Sequence, residues 1–301
     1  MEQNSRISFH DQISRNKWKS FFLIVIIFLV FLVLGYVISL VTDPGFFFII
    51  MIASIIISIL YILVSYYNSD KIALASVSAK PADRRQYSQF YNSVEGLTLA
   101  SGMPMPKLYV MENSQINAFA SGRDPEHAVI CVTTGALEKL NKQELEGVLG
   151  HELSHVANFD IRFMTLTAVM VGMIAIISQI FLRSLLFRGG SRENNKGNAI
   201  FMLIGIILAI LAPIVVQLVQ FAISRKREYA ADASAVKFIR SPTGLINALK
   251  KIKNEHVPIQ ETKKINKAVA PLFISNPFKK LENLTSTHPP LTKRIEILER
   301  M

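Results

Sequence analysis

Cysteine is almost absent from this sequence. Cys131 is the only one in 301 residues, which excludes an internal disulfide and a zinc cluster held by several thiolates. It lies within the apolar run AVICV, a setting typical of a buried structural cysteine rather than a nucleophile. A metal site in this chain would therefore have to use histidine and carboxylate ligands.

Charge is absent from four long stretches, residues 21–41, 46–67, 163–182 and 200–223. The sequence as a whole is 50% hydrophobic, and its mean hydropathy is +0.34. As a helix rising about 1.5 Å per residue, each stretch could cross roughly 30 Å of hydrocarbon. The first two stretches strongly predict membrane spans. The last two contain glycine, glutamine or proline, so each could instead pack inside a bundle or against a soluble domain.

A signal-peptide cleavage site is also lacking after the first stretch, and only TDPG, residues 42–45, separates it from the second. These features predict a helical hairpin with a Pro-Gly turn rather than a cleaved leader. The hairpin loop carries no basic residue, whereas the segment before the hairpin carries four, Arg6, Arg15, Lys17 and Lys19. The positive-inside rule therefore predicts a cytoplasmic N-terminus, with residues 68–162 and 224–301 on the same side.

One loop does not fit this orientation. Residues 183–199, between the third and fourth stretches, contain three arginines and one lysine but only one glutamate. Either the first hairpin dominates the orientation, or the second apolar pair dips into the membrane without crossing it.

Acidic residues are scarce relative to basic ones, 22 against 33, which gives a net charge of +11. The basic residues are spread through the predicted cytoplasmic segments and flank the apolar stretches, which favours binding to anionic lipid head groups. The sequence has no RNP, zinc-finger or helix-turn-helix signature. We therefore expect a lipid bilayer, and no nucleic acid, among its partners.

The predicted cytoplasmic part has mixed secondary structure. Apolar residues at helical spacing predict a helix over residues 81–101. Three short β-like runs follow, KLYVM, INAFAS and AVICVT, at residues 107–111, 116–121 and 128–133. Residues 141–158 then have helical periodicity and a polar first turn, which predicts a second helix.

This second helix contains LGHELSHVANFD, in which His151, Glu152 and His155 form an HExxH arrangement. At about 100° per residue, histidines four positions apart lie within roughly 40° on one helix face and can bind one ion. Glu152 points in another direction and could reach a water on that ion as a general base. A catalytic zinc usually takes three protein ligands and keeps one position for water. A third ligand is therefore expected elsewhere in the chain.

The segment after the fourth apolar stretch supplies two candidates. In SRKREYAADASAV, Glu228 and Asp232 have i, i+4 spacing within an otherwise small and apolar run. Glu228 can serve as the third ligand, and Asp232 can accept the free N–H of a ligand histidine. His155 precedes the third apolar stretch by eight residues, and Glu228 follows the fourth by five. The metal is therefore expected near the membrane surface.

The motifs LGHELSHVANFD, REYAADASA, INAFASG, TTGAL and STHPPLTKRI resemble those of the HtpX-type membrane zinc metalloproteases, relatives of the CaaX prenyl endopeptidases. The resemblance covers essentially the whole chain. It implies one Zn²⁺ held by His151, His155 and Glu228, with Glu152 as the base. It also implies a multi-pass protein of the bacterial plasma membrane with its active site facing the cytoplasm. The implied substrates are misfolded or damaged membrane proteins and unfolded polypeptides, degraded in quality control and stress response.

The same resemblance implies two further elements of the site. The first is an edge strand for pairing with an extended peptide, formed by Asn117, Ala118, Phe119 and Ala120. An ordinary strand is the alternative interpretation. The second element is a pair, His288 and Arg294, that helps to hold the tetrahedral oxyanion. Because His288 precedes two prolines, it could equally be a turn residue.

We therefore predict a mainly helical α+β integral membrane protein with about four transmembrane helices and a gluzincin-like zinc protease domain that contains a small β-sheet. The predicted segments are a cytoplasmic N-terminus (1–20), a transmembrane hairpin (21–67), a first protease segment (68–162), a second transmembrane or membrane-dipping hairpin (163–223) and a second protease segment (224–301).

Two alternatives stay open. A non-catalytic membrane scaffold tied together by zinc would use the same ligands, but it gives no reason for the position of Glu152. A prenyl-protein processing protease would resemble a longer chain with more spans. The sequence leaves the oligomeric state open.

Overall fold

The structure is a computed structural model that describes residues 9–41, 44–168, 205, 225–255, 269, 272–275 and 289–301. Within these residues the helices are α1 (Phe9–Val41), α2 (Phe47–Tyr67), α3 (Ser69–Ser76), α4 (Ser88–Ser101), α5 (Thr134–Lys139), α6 (Lys142–Ala157), α7 (160–168), α8 (Arg225–Ile239), α9 (Thr243–Asn254) and α10 (Leu291–Leu298). The strands are β1 (Lys80–Pro81), β2 (Lys107–Met111), β3 (Ala118–Gly122) and β4 (Ala128–Thr133). Short 3-10 turns lie at Pro44–Phe46 and Pro125–His127.

Two of the described helices are long and apolar enough to cross a membrane, over Ile13–Tyr36 and Pro44–Tyr67. They pack closely at Gly35, where an added Cβ atom would collide with the side chain of Ser54. Many large apolar side chains of this hairpin face outward, as lipid contact requires. The predicted third and fourth spans lie outside the described residues, except for the helical residues 163–168 and residue 205.

The four strands form one mixed sheet in the order β1-β2-β4-β3. β2 and β4 are parallel, whereas β1 and β3 run antiparallel to their neighbours. Because side chains alternate along a strand, the sheet contributes to two apolar layers. Ile130 and Val132 join the layer with α4, α6 and α9, and Val129 and Cys131 join the layer with α3 and α7. The strand order places β3 at one edge of the sheet, where it contacts α6.

The helix predicted over residues 81–101 is shorter than expected, since it begins at Ser88. Pro81 instead belongs to β1, where it pairs with the β2 edge. Proline has no N–H for a ladder and pushes the preceding residue toward an extended backbone, so it suits an edge strand. Asp83 then turns the chain, because its carboxylate accepts hydrogen bonds from the N–H groups of Arg85 and Gln86.

The strands themselves follow the prediction closely. β2 and β4 have the predicted bounds, whereas β3 begins at Ala118, two residues later than predicted. The N–H of Asn117 donates to the Thr133 hydroxyl at 3.0 Å rather than to a backbone carbonyl. Regular strand pairing therefore starts only after Asn117. The sequence analysis did not predict β1, α3 or α5.

Helix α6 forms where the HExxH helix was predicted, and a capping box starts it. The Asn141 side chain accepts from the N–H of Glu144, and the Glu144 carboxylate accepts from the N–H of Asn141. The helix packs against α9 with almost no space between the backbones. A Cβ atom on Gly147 would lie 2.5 Å from the backbone nitrogen of Leu245. This close approach buries α6 between the sheet and the helices that follow it in sequence.

Gly147→Ala should destabilise the protein by about 1–3 kcal/mol, because the new methyl group meets backbone that cannot move aside. Gly96→Ala is the matched control, since Gly96 lies in α4 with nothing within 4 Å of an added Cβ. Alanine favours a helix over glycine, so the control should stabilise by up to about 1 kcal/mol. Thermal unfolding in detergent measures both. Equal effects of the two substitutions would contradict the close approach of α6 and α9.

Candidate active site

Helix α6 presents the HExxH side chains on the side that faces α8. His151, Glu152 and His155 are 0%, 1% and 4% exposed. Four-residue spacing places the two histidines one turn apart on the same face. Their Nε2 atoms lie 3.2 Å from each other. The two imidazoles thus converge on one point, as the sequence predicts.

Helix α8 brings Glu228 to the same point. One carboxylate oxygen lies 3.5 Å from Nε2 of His151, and the other lies 3.6 Å from Nε2 of His155. Ligand atoms at the usual zinc distances in a tetrahedron are about 3.3 Å apart. The two Nε2 atoms and the Glu228 carboxylate therefore have the spacing and the chemistry that fit a zinc ion.

Asp232 and Arg294 form a buried pair behind His151. One oxygen of Asp232 lies 2.9 Å from Nδ1 of His151, where a carboxylate fixes the ring so that Nε2 points at the metal position. Arg294, at 0% exposed, donates to both oxygens of Asp232, at 2.8 and 2.6 Å. Burial raises the pKa of Asp232, but the Arg294 guanidinium and the hydrogen bond with His151 together lower it below its usual value. Asp232 is therefore held as an anion beside the imidazole.

The protonation of His151 depends on these neighbours. Burial and the nearby Arg294 cation both lower the pKa of His151. Hydrogen bonds to Asp232 and Glu228 outweigh them and raise it to about 9. Without a metal, His151 is therefore protonated at neutral pH.

Asp160 holds the second histidine, and the sequence analysis did not single it out. Its Oδ2 atom lies 3.1 Å from Nδ1 of His155, and the Asp160 side chain is 2% exposed. Its Oδ1 atom accepts a hydrogen bond from Asn16 of α1 at 2.7 Å. In the sequence, Asp160 is the last residue of LGHELSHVANFD. It lies five residues after His155 and beyond the end of the helix, so helix geometry does not predict where its side chain points. No local sequence pattern predicts the contact between Asp160 and Asn16, because the two residues are 144 positions apart.

Glu152 lies between the histidines and the edge strand. Its carboxylate accepts a hydrogen bond from the N–H of Ala120 in β3. Burial raises the pKa of the Glu152 carboxyl, and the two site histidines oppose this rise. Among the described residues, its Oε1 atom has no hydrogen-bond partner. A buried carboxylate oxygen of this kind is ready to accept a proton from a water molecule.

The outer edge of β3 contacts residues 272–275 of the same chain. Phe119 and Phe273 form an antiparallel bridge, and their ring centroids are 5.1 Å apart. The N–H of Ile274 donates to the carbonyl of Ala118 at 3.0 Å. The predicted peptide-pairing edge is therefore occupied at this position by the chain itself.

Two residues of the predicted site hold this segment. The Asn117 side-chain amide donates to the carbonyl of Ser275 at 2.9 Å, and the Arg294 guanidinium donates to the carbonyl of Ile274 at 3.1 Å. Arg294 thus contacts Asp232 and this segment. His288, its predicted oxyanion partner, lies outside the described residues.

Comparison with known proteins places the whole chain among bacterial proteases. Residues 84–301 match Peptidase family M48. A protein of Caldanaerobacter subterraneus subsp. tengcongensis named Protease HtpX homolog is 45% identical over 292 residues, covering 96% of each chain. A Protease HtpX homolog of Thermoanaerobacter pseudethanolicus is 43% identical over 301 residues, covering 99% of each.

Among solved structures, the crystal structure of S. mikatae Ste24p is similar, with a TM-score of 0.47 and 20% sequence identity. The match covers 90% of this chain and 61% of that one, so this chain spans less than two thirds of its length.

Zinc affinity should rise by roughly ten-fold per pH unit between about pH 6 and about pH 8, because binding must displace the proton of His151. Competition with a chromogenic chelator, corrected for the pH dependence of the chelator itself, measures the affinity. Calorimetry in buffers of different ionisation enthalpy should detect the released proton. A constant affinity across this window would contradict a protonated His151.

Proposed function

Because this chain belongs to peptidase family M48 and is a membrane metalloprotease, we propose that it is a zinc-dependent endopeptidase of the bacterial cell membrane. Its proposed substrates are misfolded or damaged membrane proteins, cut on the cytoplasmic side. The observation that carries the proposal is the geometry of the site. The Nε2 atoms of His151 and His155 lie 3.2 Å apart, and each lies 3.5–3.6 Å from one oxygen of the Glu228 carboxylate. Glu152 lies beside them, buried, and its Oε1 atom has no hydrogen-bond partner among the described residues.

His151, His155 and Glu228 would hold the zinc ion. Bound zinc lowers the pKa of a coordinated water to about 7 and polarises a peptide carbonyl. Asp232 and Asp160 each contact the Nδ1 atom of one histidine, so they orient both rings with Nε2 toward the metal. This arrangement points both rings at the metal position before the metal binds, and binding then needs only the loss of the proton of His151.

Glu152 is the proposed general base. It accepts a proton from the attacking water and then passes it to the nitrogen of the leaving amine. Burial, which raises its pKa, favours both steps, since a base that must also act as an acid works best with a pKa near the working pH. The hydrogen bond from Ala120 keeps this carboxylate beside β3, where a bound peptide would lie.

The proposed peptide-binding element is the outer edge of β3. Ala118 and Ala120 are alternate residues, so their backbone groups point to the same side of the strand. On that side Ala118 accepts from Ile274, and Ala120 donates to Glu152. A peptide added to this edge would therefore lie next to the base. To pair there it must displace residues 272–275 from β3.

Arg294, one member of the proposed oxyanion pair, also contacts two carboxylates of the site. The guanidinium binds Asp232, which fixes His151, and it lies 3.6 Å from a carboxylate oxygen of Glu228. Arg294 therefore acts first as a positioning residue for the zinc ligands. Direct contact with the oxyanion, together with His288, is proposed from the family resemblance.

The membrane-protein substrate class is proposed from the position of the site. α1 and α2 are candidate spans, and α1 contacts the turn that follows the HExxH helix. Membrane proteins with loops near the bilayer surface could thus reach the site without leaving the membrane. The quality-control role comes from the family resemblance.

Phe273→Ala should raise kcat/KM for a short unstructured peptide several-fold, because it removes the ring contact that holds residues 272–275 on β3. Phe90→Ala is the matched control, since both rings are 1% exposed and Phe90 lies in α4, away from the edge. The control should lower thermal stability without raising activity. If folded Phe273→Ala protein cleaves the peptide no faster than wild type, this segment does not limit access.

Glu152→Gln should keep zinc and lose at least about 100-fold in turnover, because the amide cannot accept the proton of the attacking water. We would purify both forms in detergent with chelator, add Zn²⁺, and measure zinc content and cleavage of casein, an unfolded protein. His151→Ala should lose both zinc and activity. If wild type and Glu152→Gln both bind zinc and neither cuts any unfolded or membrane substrate, a zinc-stabilised scaffold explains the site better.

A further inference from the structure

Helix α1 sends one polar side chain into the protease domain. Asn16 is 4% exposed, whereas the next residues along the helix, Lys17 and Trp18, are exposed. Its side-chain amide donates to Oδ1 of Asp160 at 2.7 Å and to the carbonyl of Asn158 at 3.0 Å. Asn16 therefore makes two buried hydrogen bonds with a segment more than 140 residues away in the sequence.

Asp160 connects this amide to the site. One of its oxygens contacts Nδ1 of His155 and the other accepts from Asn16. A carboxylate held at one oxygen only can still rotate about its Cβ–Cγ bond, whereas hydrogen bonds at both oxygens fix its plane. Arg227 also reaches this carboxylate, and its Nη1 atom lies 3.6 Å from Oδ1. Asn16 donates to the same oxygen, which faces away from His155, at 2.7 Å.

The same helix holds the turn that carries Asp160. Phe159, in this turn, has φ of 58°, a left-handed conformation that bulky side chains rarely adopt. The Lys17 ammonium lies 4.8 Å from the centre of the Phe159 ring, and Asn16 binds the carbonyl of Asn158. Contacts from α1 on both sides of the left-handed residue thus keep the turn in this conformation.

We propose that Asn16 is a positioning residue of the active site, which fixes the imidazole of His155 through Asp160. The first candidate membrane helix then helps to position a residue of the metal site, in addition to anchoring the protein in the membrane. This inference rests on the proposed role of His155 as a zinc ligand.

Asn16→Ala in the full chain tests this inference, with Ser20→Ala as the matched control. Ser20 lies one turn further along α1, is 2% exposed, and donates to the backbone carbonyl of Asn16. It contacts no residue of the proposed site among the described hydrogen bonds. Both substitutions remove a buried polar group from the same helix face, but only one frees Asp160.

The first measurement is the rate of Zn²⁺ release to a chromogenic chelator, and the second is the visible spectrum of the Co²⁺-loaded protein. Asn16→Ala should release zinc on the order of ten-fold faster than wild type and should shift the cobalt bands, because the His155 ring is less constrained. It should also lower kcat with little change in KM for a peptide. Ser20→Ala should match wild type in all three.

Unchanged zinc release and an unchanged cobalt spectrum in folded Asn16→Ala protein would overturn the inference, even if its thermal stability fell. That result would make Asn16 a packing contact only. If wild type itself bound no zinc, the proposed ligand set would fail first, and zinc content measured beforehand distinguishes the two failures.

A second pair of variants applies if Asn16→Ala does not fold. Asn16→Asp alone places two carboxylates against each other and should speed zinc release. Adding Asp160→Asn reverses donor and acceptor, so the amide at position 160 can donate to the new carboxylate while its oxygen still faces His155. The double variant should recover slower release than Asn16→Asp alone. No recovery would overturn the inference.

Discussion

Pairing of buried charges is the constraint on which the site depends. Glu228, Asp232 and Arg294 are almost fully buried and come from α8 and α10, and they surround His151 of α6. A charge taken out of water is stable only with a close partner, and removing one partner costs on the order of 3–5 kcal/mol. The Asp232–Arg294 pair therefore fixes how these three helices sit together. That arrangement sets the distances between the proposed ligand atoms.

The same logic extends to the membrane hairpin. His155 is oriented by Asp160, and Asp160 is held by Asn16 of α1. Each of the two site histidines thus has a carboxylate behind it, and each carboxylate has a buried partner of its own. One of these partners comes from the last described helix and the other from the first. The site is consequently assembled from both ends of the chain.

Sequence reasoning was most successful where chemistry depends on local spacing. The HExxH pattern and the i, i+4 pair Glu228 and Asp232 need only helix geometry to place side chains on one face, and the structure brings these residues together. It was less successful where a proline changes the local preference. Residues 81–87 have helical apolar spacing, yet Pro81 pairs as an edge strand, so α4 begins later.

The sequence by itself determined two apolar helices long enough for a membrane, the helix that carries the HExxH pattern and the three main strands. These properties follow from hydrophobic periodicity and from ligand spacing within single elements. Only the tertiary structure decided that Asn16 reaches Asp160, that Arg294 pairs with Asp232, and that residues 272–275 cover the edge of β3. Such contacts join residues far apart in the chain. They depend on how buried polar groups find partners once the helices pack, which no local pattern records.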